Sequence, residues 1–397
     1  MTNSENGCIS VLFLRSAAQP IITAHIAMGL DLADEVNFEQ YPAVPERKWD
    51  KIENMYDPES ARTALRKNII SKDELINKIT SRYYDLVLLC DQTGELFYYN
   101  SLGILRKTRN LLGQFKKLTK ESLNEIIEEI EYMRGIPLSV NQINSLSPVA
   151  AIDLGDYRLL NQYSRDILKD VSLYFKRELP YNRYQLYVPE KPAPWSYWQT
   201  NLIKDLIKIR NIPLGIEDNK YYHLKKNRSN LKDIDVFYCC NDSSTLRIRV
   251  KHLLKTIRDS SPWNIHIDDN LTFEEYCNKM ARSKVTISVS GGGWDCHRHY
   301  EAVASGSLPF IDRPVVEMIW WGSAPNSIFF EKSLDDMEER LDILLRSDDR
   351  RLSDFETLEK HVEDNMLHSK ILTSIIEYSL ANHKKMPPIE DIHTITR

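Results

Sequence analysis

The stretch Ser283–Pro314, SKVTISVSGGGWDCHRHYEAVASGSLPFIDRP, decides how the chain is read. It runs strand, glycine loop, helix, glycine stop, strand. Lys284–Val289 (KVTISV) is short and β-branched, the composition of a buried strand. Gly291, Gly292 and Gly293 follow, where the backbone can take positive φ or let a ligand come close. Asp295 is placed to N-cap a helix over Cys296–Ser305, Gly306 to stop it, and Leu308–Ile311 to begin the next strand. A strand feeding a helix N-terminus through glycines offers unpaired N–H groups and the positive end of a helix dipole, which together suit a phosphate. Arg298 in the first turn would add a full charge there. Glu301, three residues on, shares its face and could accept from two vicinal ribose hydroxyls. The plainer alternative is an ordinary strand–helix connection in which Arg298 and Glu301 pair with each other in solvent.

The glycine-rich loop followed by Arg298, Glu301, Ala302, Gly306, Leu308, Pro309 and Phe310 resembles the donor-binding half of GT-B-fold glycosyltransferases. The likeness is to the exostosin-like group and to the C-terminal domain of glycosyltransferase group 1. It implies an α/β chain of two facing Rossmann-like domains (GT-B architecture), with a cleft between them and a C-terminal helix crossing back. It further implies a nucleotide-sugar donor as co-substrate, with the loop and Arg298 on the diphosphate and Glu301 on the ribose. No resident cofactor and no metal are implied. Many members carry a second Glu eight positions before the first. Gly293 stands there in this chain, so the group that touches the sugar, and with it retention or inversion, is left open.

Upstream, Ile234–Cys240 (IDVFYCC) reads as the first strand of the same domain, Asn241–Ser244 as a polar turn and Arg247–Ile257 as a helix. Arg247 and Lys251 fall at i, i+4 on one face, aimed toward the cleft that Arg298 faces; the resemblance implies a basic pair here that neutralises a departing diphosphate. Asn264–Ile267 is a further strand. Asp268 opens its exit loop, where the resemblance implies contact with the nucleotide base, and Thr272–Glu275 has capping-box form. The Asp268–Asp269 doublet has no third clustered ligand, so turn chemistry explains it better than a metal. Downstream, Trp320 and Trp321 read as packing residues, Leu334–Leu345 as an amphipathic helix, and Asp354–His383 as a long helical stretch containing the crossing helix.

The N-terminal half repeats the pattern. Ile9–Leu14 reads as a buried strand and Pro20–Leu32 as a helix, with His25 a candidate base because ligands of open α/β sheets sit outside the carboxyl ends of the strands. Residues 34–80 are mixed and charged, ending in a helix over Lys72–Ser81. Asp85–Cys90 (DLVLLC) is the next strand. Asp91 at its exit is the favoured general base for an acceptor hydroxyl, against the alternative that it caps a turn before Gly94. An insert over 101–135 is basic from Arg106 to Lys120, then acidic. Val149–Leu154 is a third strand, and the resemblance to those transferases, which carry an Asp near this strand, implies Asp153 and Asp156 as secondary cleft candidates. In Leu173–Leu179 the stretch Tyr-Phe-Lys-Arg-Glu-Leu, with Ile212–Ile216 as a linker strand, resembles the end of the first domain of those transferases, while Lys176 and Arg177 read as solvent contacts. Residues 189–198 form a proline- and aromatic-rich connection.

Length and composition bound the rest. A chain of 397 residues suggests two domains, divided here as 1–212, a linker 213–232, a donor domain 233–365 and a crossing helix with tail 366–397. A hydrophobic fraction of 42% and a net charge of −5 describe a globular protein without a basic field for nucleic acid. The polar start MTNSENG, the lack of a membrane-length apolar run and six scattered cysteines point to a reducing cytoplasm. The function expected is transfer of a sugar from a nucleotide sugar to a hydroxyl of a glycan, protein or small molecule. Three rivals stand beside it: a sugar-nucleotide epimerase of the same architecture, a transferase acting on modified DNA bases (supported only by the basic insert), and a non-catalytic nucleotide-sugar binder.

Overall fold

The computed structural model describes residues 8–16, 19–44, 50–53, 55–91, 96, 136–181, 183–187, 201–317 and 319–383. The basic insert, the connection at 189–198 and the tail from residue 384 lie outside them.

Two all-parallel sheets carry the fold. The first holds β1 (Ile9–Arg15), β2 (Val36–Tyr41), β3 (Leu86–Cys90), β4 (Val149–Asp153), β5 (Leu173–Lys176) and β6 (Ile209–Asn211), in the order β2-β1-β3-β4-β5-β6. The second holds β7 (Ile234–Cys239), β8 (Ile265–Asp268), β9 (Ser283–Ser288), β10 (Leu308–Asp312) and β11 (Phe329–Phe330), in the order β11-β10-β9-β7-β8. Each sheet starts inside, steps one way, then winds back across its own first strand. This is the doubly wound order whose crevice opens at the carboxyl ends of the two strands where direction reverses. In the first sheet that point lies between β1 and β3, and in the second between β7 and β9. The expected α/β class with two Rossmann-like sheets is thus the one observed.

The strand sequences explain the layering. LVLLC in β3 and VAAID in β4 are buried along their whole length, as parallel strands covered on both faces must be. Helices α1 (Pro20–Leu32), α2 (Pro58–Arg66), α3 (Lys72–Thr80), α4 (Val140–Leu146), α5 (Gln162–Asp170) and α6 (Asn201–Leu206) flank the first sheet in chain order. After α7 (Asp218–Lys226), the second domain adds α8 (Thr245–Ser260), α9 (Phe273–Ala281), α10 (His297–Ala304), α11 (Met337–Arg346) and α12 (Asp348–Asn365). The helical stretch expected over Asp354–His383 is two helices, α12 and α13 (His368–His383), broken at Met366 and Leu367. Leu367 there bridges Ile216 of the linker, so both crossings of the chain between domains run side by side.

Beyond that break, Ile371, Leu372, Ile375 and Ile376 of α13 bury themselves in the core of the first sheet, against α1. Gly29 permits the approach: a Cβ there would lie 2.5 Å from Leu372 Cδ1 and 3.0 Å from the His368 backbone. The linker differs from its expected form as a strand. Regular pairing stops at Asn211, and Gly215 takes φ +73° before Ile216 bridges Leu367. Among the described residues no helix is long and apolar enough to cross a membrane.

Candidate functional site

The glycine loop lies at the reversal point of the second sheet, as its place after β9 dictates, and it is tightly braced. Ser290 donates its N–H and its hydroxyl to the Asp312 carboxylate at 2.6 and 2.9 Å, and Gly291 N–H closes on Gly293 O at 2.9 Å. Arg247 reaches in from the first turn of α8. Its Nε donates to Ser290 O at 3.1 Å, Nη2 to Val289 O at 3.3 Å, and Nη1 to Ser243 Oγ at 3.0 Å and to Asn241 Oδ1. Most of this guanidinium's donors are therefore engaged inside the protein.

The glycines leave room for side chains that spacing alone did not reveal. A Cβ at Gly291 would strike Arg247 Nη2, one at Gly292 would sit 3.1 Å from Asp156 Oδ2, and one at Gly293 would overlap Glu178 Oε1. Asp156 and Glu178 belong to the first domain. The loop therefore does face the gap between the sheets, and side chains of the opposite domain rest on it. Glu178 is fully buried and accepts the N–H groups of Trp294 and Asp295, both at 3.0 Å. Two of the amides expected to cradle a phosphate thus already hold a carboxylate of the same chain.

Helix α10 begins one residue later than expected, with Cys296 at the N-cap and no side-chain cap bond. Asp295, expected as the cap, is buried instead and accepts from Leu214 N–H at 2.6 Å and Tyr300 OH at 2.7 Å. Burial pushes its carboxyl up to about 6, against the pull of Arg177. Gly306, at φ +80°, stops the helix as expected, with its N–H on Val303 O.

Arg298 and Glu301 share a face but do not pair. Glu301 accepts from Lys220 Nζ of α7 at 2.5 Å and from Tyr276 OH of α9 at 2.7 Å. Burial alone would raise its pKa; Lys220 and His297 outweigh that and hold it at about 2, so the carboxylate stays ionised. Each oxygen keeps a second lone pair. Arg298 has no such partner: its Nε and Nη1 are buried without a hydrogen bond. That removes the alternative of a solvent-exposed Arg298–Glu301 pair. Both the guanidinium and the uncapped N-terminus of α10 therefore put positive charge at one place.

Other candidates sit differently. Lys251 pairs on the surface with Asp269 at 2.7 Å and Asp242 at 3.3 Å. Asp268 ends β8 and lies 2.8 Å from Lys279 Nζ. In the first domain, Asp91 is buried at the exit of β3 and accepts the Leu96 N–H at 3.0 Å. Asp153 accepts from Tyr174 OH and Lys176 Nζ, each at 2.9 Å, and from Gly155 N–H at 3.0 Å; it is the counter-charge of a buried lysine. His25, on α1, is buried with Nε2 2.9 Å from Glu217 Oε1. His25 also packs against His297 of α10, with ring centroids 5.9 Å apart, and against His368 of α13 at 4.8 Å. Of the three catalytic candidates, the structure places only His25 beside the helix that carries Arg298 and Glu301.

Lys176 and Arg177, expected to be solvent contacts, are buried: Lys176 on Asp153, Arg177 on Asp156 and 3.7 Å from Glu178. Glu217, Lys220 and Glu178 were missed. Their partners are remote in sequence, and no periodicity encodes that. Among the described residues, no group of three or more His, Cys, Asp or Glu is arranged to hold a metal ion.

No protein-family model and no curated protein matches the chain. Solved structures similar to it include a glycosyltransferase from Rickettsia africae ESF-5, at 10% identity and TM-score 0.48, covering 96% of this chain and all of that one. Another is HepE of Anabaena in complex with UDP and glucose, at 11% identity and TM-score 0.41, covering 94% of this chain and all of that one. A third is a putative UDP-N-acetylglucosamine 2-epimerase from Listeria monocytogenes, at 11% identity and TM-score 0.39, covering 95% of this chain and 97% of that one.

Proposed function

We propose that the chain is a nucleotide-sugar glycosyltransferase that works at the seam between its two sheets. The observation that carries this reading is Arg298, whose buried Nε and Nη1 lack a partner at the crevice between β7 and β9. A protein leaves a charged, desolvated donor unpaired at a cost that a bound anion would offset. A nucleoside diphosphate supplies such an anion. Its ribose hydroxyls would donate to the free lone pairs of Glu301, which Lys220 and Tyr276 hold ionised and oriented. The roles of Gly291 to Gly293 in this scheme shrink to shaping the loop. Arg247 braces it, with Nη2 close to Gly291.

Transfer needs a base for the acceptor hydroxyl, and His25 is the better candidate than Asp91 or Asp153. Glu217 is held down to about 2, its burial outweighed by the hydrogen bond from His25 and by Lys220, so it can only accept. The Nε2 of a neutral His25 then carries the proton and Nδ1 is the basic nitrogen. In the reaction Nδ1 would take the hydroxyl proton as the oxygen bonds to the anomeric carbon. The sugar–phosphate bond breaks, and its electron pair goes to the diphosphate oxygen facing Arg298.

The test is thermal stabilisation by a panel of nucleoside diphosphates, followed by nucleotide release from the matching sugar nucleotides with and without acceptor alcohols. Stabilisation lost in Arg298→Ala, with acceptor-dependent release in the wild type, is expected. Turnover of the sugar nucleotide without an acceptor and without diphosphate release would replace a transferase with an epimerase. No stabilisation by any nucleotide would end the reading.

A further inference from the structure

Just past β5, a carboxylate of the first domain meets the amides at the foot of the glycine loop, a contact that no spacing predicts. Glu178 crosses the seam, loses essentially all exposure, and divides its two oxygens between consecutive amides, Oε2 to Trp294 and Oε1 to Asp295, both at 3.0 Å. Those N–H groups belong to the residues just before α10, where the helix dipole also favours a negative charge. Gly293 has no side chain where Glu178 Oε1 passes, and the neighbouring Arg177 ties Asp156, which rests on Gly292. Around this point the domains also join in an isolated antiparallel bridge, Pro180 to Val316, with Glu317 N–H on Leu179 O at 2.7 Å. Four consecutive residues of one domain thus seat on the other.

We infer that Glu178 is a positioning residue of the donor site: from the first domain it fixes the loop that precedes Arg298, so the anion seat is complete only when the domains are closed. The coupling to nucleotide rests on the donor-site reading above; the clamp itself does not. A carboxylate bridging two adjacent amides sets the direction of both peptide planes, and with them the entry of α10 and the side chains of its first turn. Without it, Trp294 and Asp295 would turn their N–H groups to water, and Arg298 would lose a fixed bearing.

Hydrogen exchange at peptide level over residues 290–297, with a peptide from α8 as internal control, tests the clamp in Glu178→Ala and, from the other side, in Gly293→Ala. The second variant keeps the carboxylate but puts a methyl group in its path. Both should speed exchange in that peptide at least tenfold while the control peptide and circular dichroism stay unchanged. The double variant should add little to either single one, since both remove the same contact. Glu178→Gln, which keeps one acceptor, should fall between. Stabilisation by the nucleoside diphosphate that serves the wild type should drop in the same rank order. Unchanged exchange in Glu178→Ala overturns the clamp, even if Gly293→Ala loosens the loop. Faster exchange with undiminished nucleotide stabilisation overturns the coupling. A wild type that no nucleotide stabilises removes the donor reading and the coupling with it, while exchange still decides the clamp.

Discussion

At Glu301 two explanations of one carboxylate can be pulled apart. Its pairing with Lys220 is an ion pair shielded on both sides, so removing one partner strands the other. Glu301→Gln should cost about 3 kcal/mol of stability through the orphaned ammonium. Adding Lys220→Met should return most of that loss, because the pair is then replaced by groups needing no counter-charge. If the carboxylate serves only the fold, nucleotide affinity returns with stability. If it holds a ribose, affinity stays reduced about tenfold or more in the stable double variant, by calorimetry. Arg298→Ala should differ from both: with no internal partner to strand, stability should stay within about 1 kcal/mol in denaturant titration while nucleotide stabilisation disappears. A loss of several kcal/mol would mean that Arg298 belongs to the fold. The sequence showed that Arg298 and Glu301 share a face, because helical spacing guarantees it. It could not show that Lys220, 81 residues earlier, would claim the carboxylate and leave the arginine alone.

Elements were legible where one physical cause dominated. β1, β3, β4, β7 and β10 are nearly continuous apolar runs because they are covered on both faces. β2, VNFEQY, escaped notice: it is an edge strand whose Asn37 and Glu39 look outward, and it reads as mixed. Its Glu39 answers Lys78 and Tyr84, again a pairing across distant sequence. Glu178 escaped for the related reason that a strand end meeting another domain has the composition of one meeting water. The α1–α13 contact carries two predictions. Gly29→Ala gains about 1 kcal/mol of helix propensity, yet the added methyl meets the His368 backbone at 3.0 Å, and overpacking of that kind costs about 1–3 kcal/mol. A lower melting temperature is expected; a higher one would show that α13 yields freely. At the start of α13, burial, with the nearby His25, pushes the His368 imidazole down to about 3. The unfolded chain takes up that proton below about pH 6.5 and the folded chain does not until near 3, so the stabilising contribution is complete above 6.5 and lost on acidification. Relative to His368→Gln, the wild type should lose about 2 kcal/mol between pH 7 and pH 5. Parallel stability curves for the two proteins would refute it.

Among the contacts that join the two sheets in the described residues, two seams differ in kind. Around the glycine loop the joint is polar: Asp156, Arg177 and Glu178 meet backbone amides and glycines. Such a joint can open at modest cost, because water replaces what it loses. Where the chain crosses back the joint is apolar and topological, since α13 leaves the second domain at Leu367 and completes the core of the first. Ile371, Leu372, Ile375 and Ile376 are at most 4% exposed, and at about 1.5–3 kcal/mol each their burial is comparable with the entire stability of a domain. A chain ending at Asn365 should therefore lose the first domain selectively. Limited proteolysis should destroy residues 9–211 while leaving a resistant core from about residue 213 to the new end. The second sheet's core draws almost all its residues from that span. In calorimetry the early transition should vanish and the later one persist. Joint loss of both domains would mean that the polar seam holds the second domain up, and resistance throughout would mean that the crossing helix is dispensable.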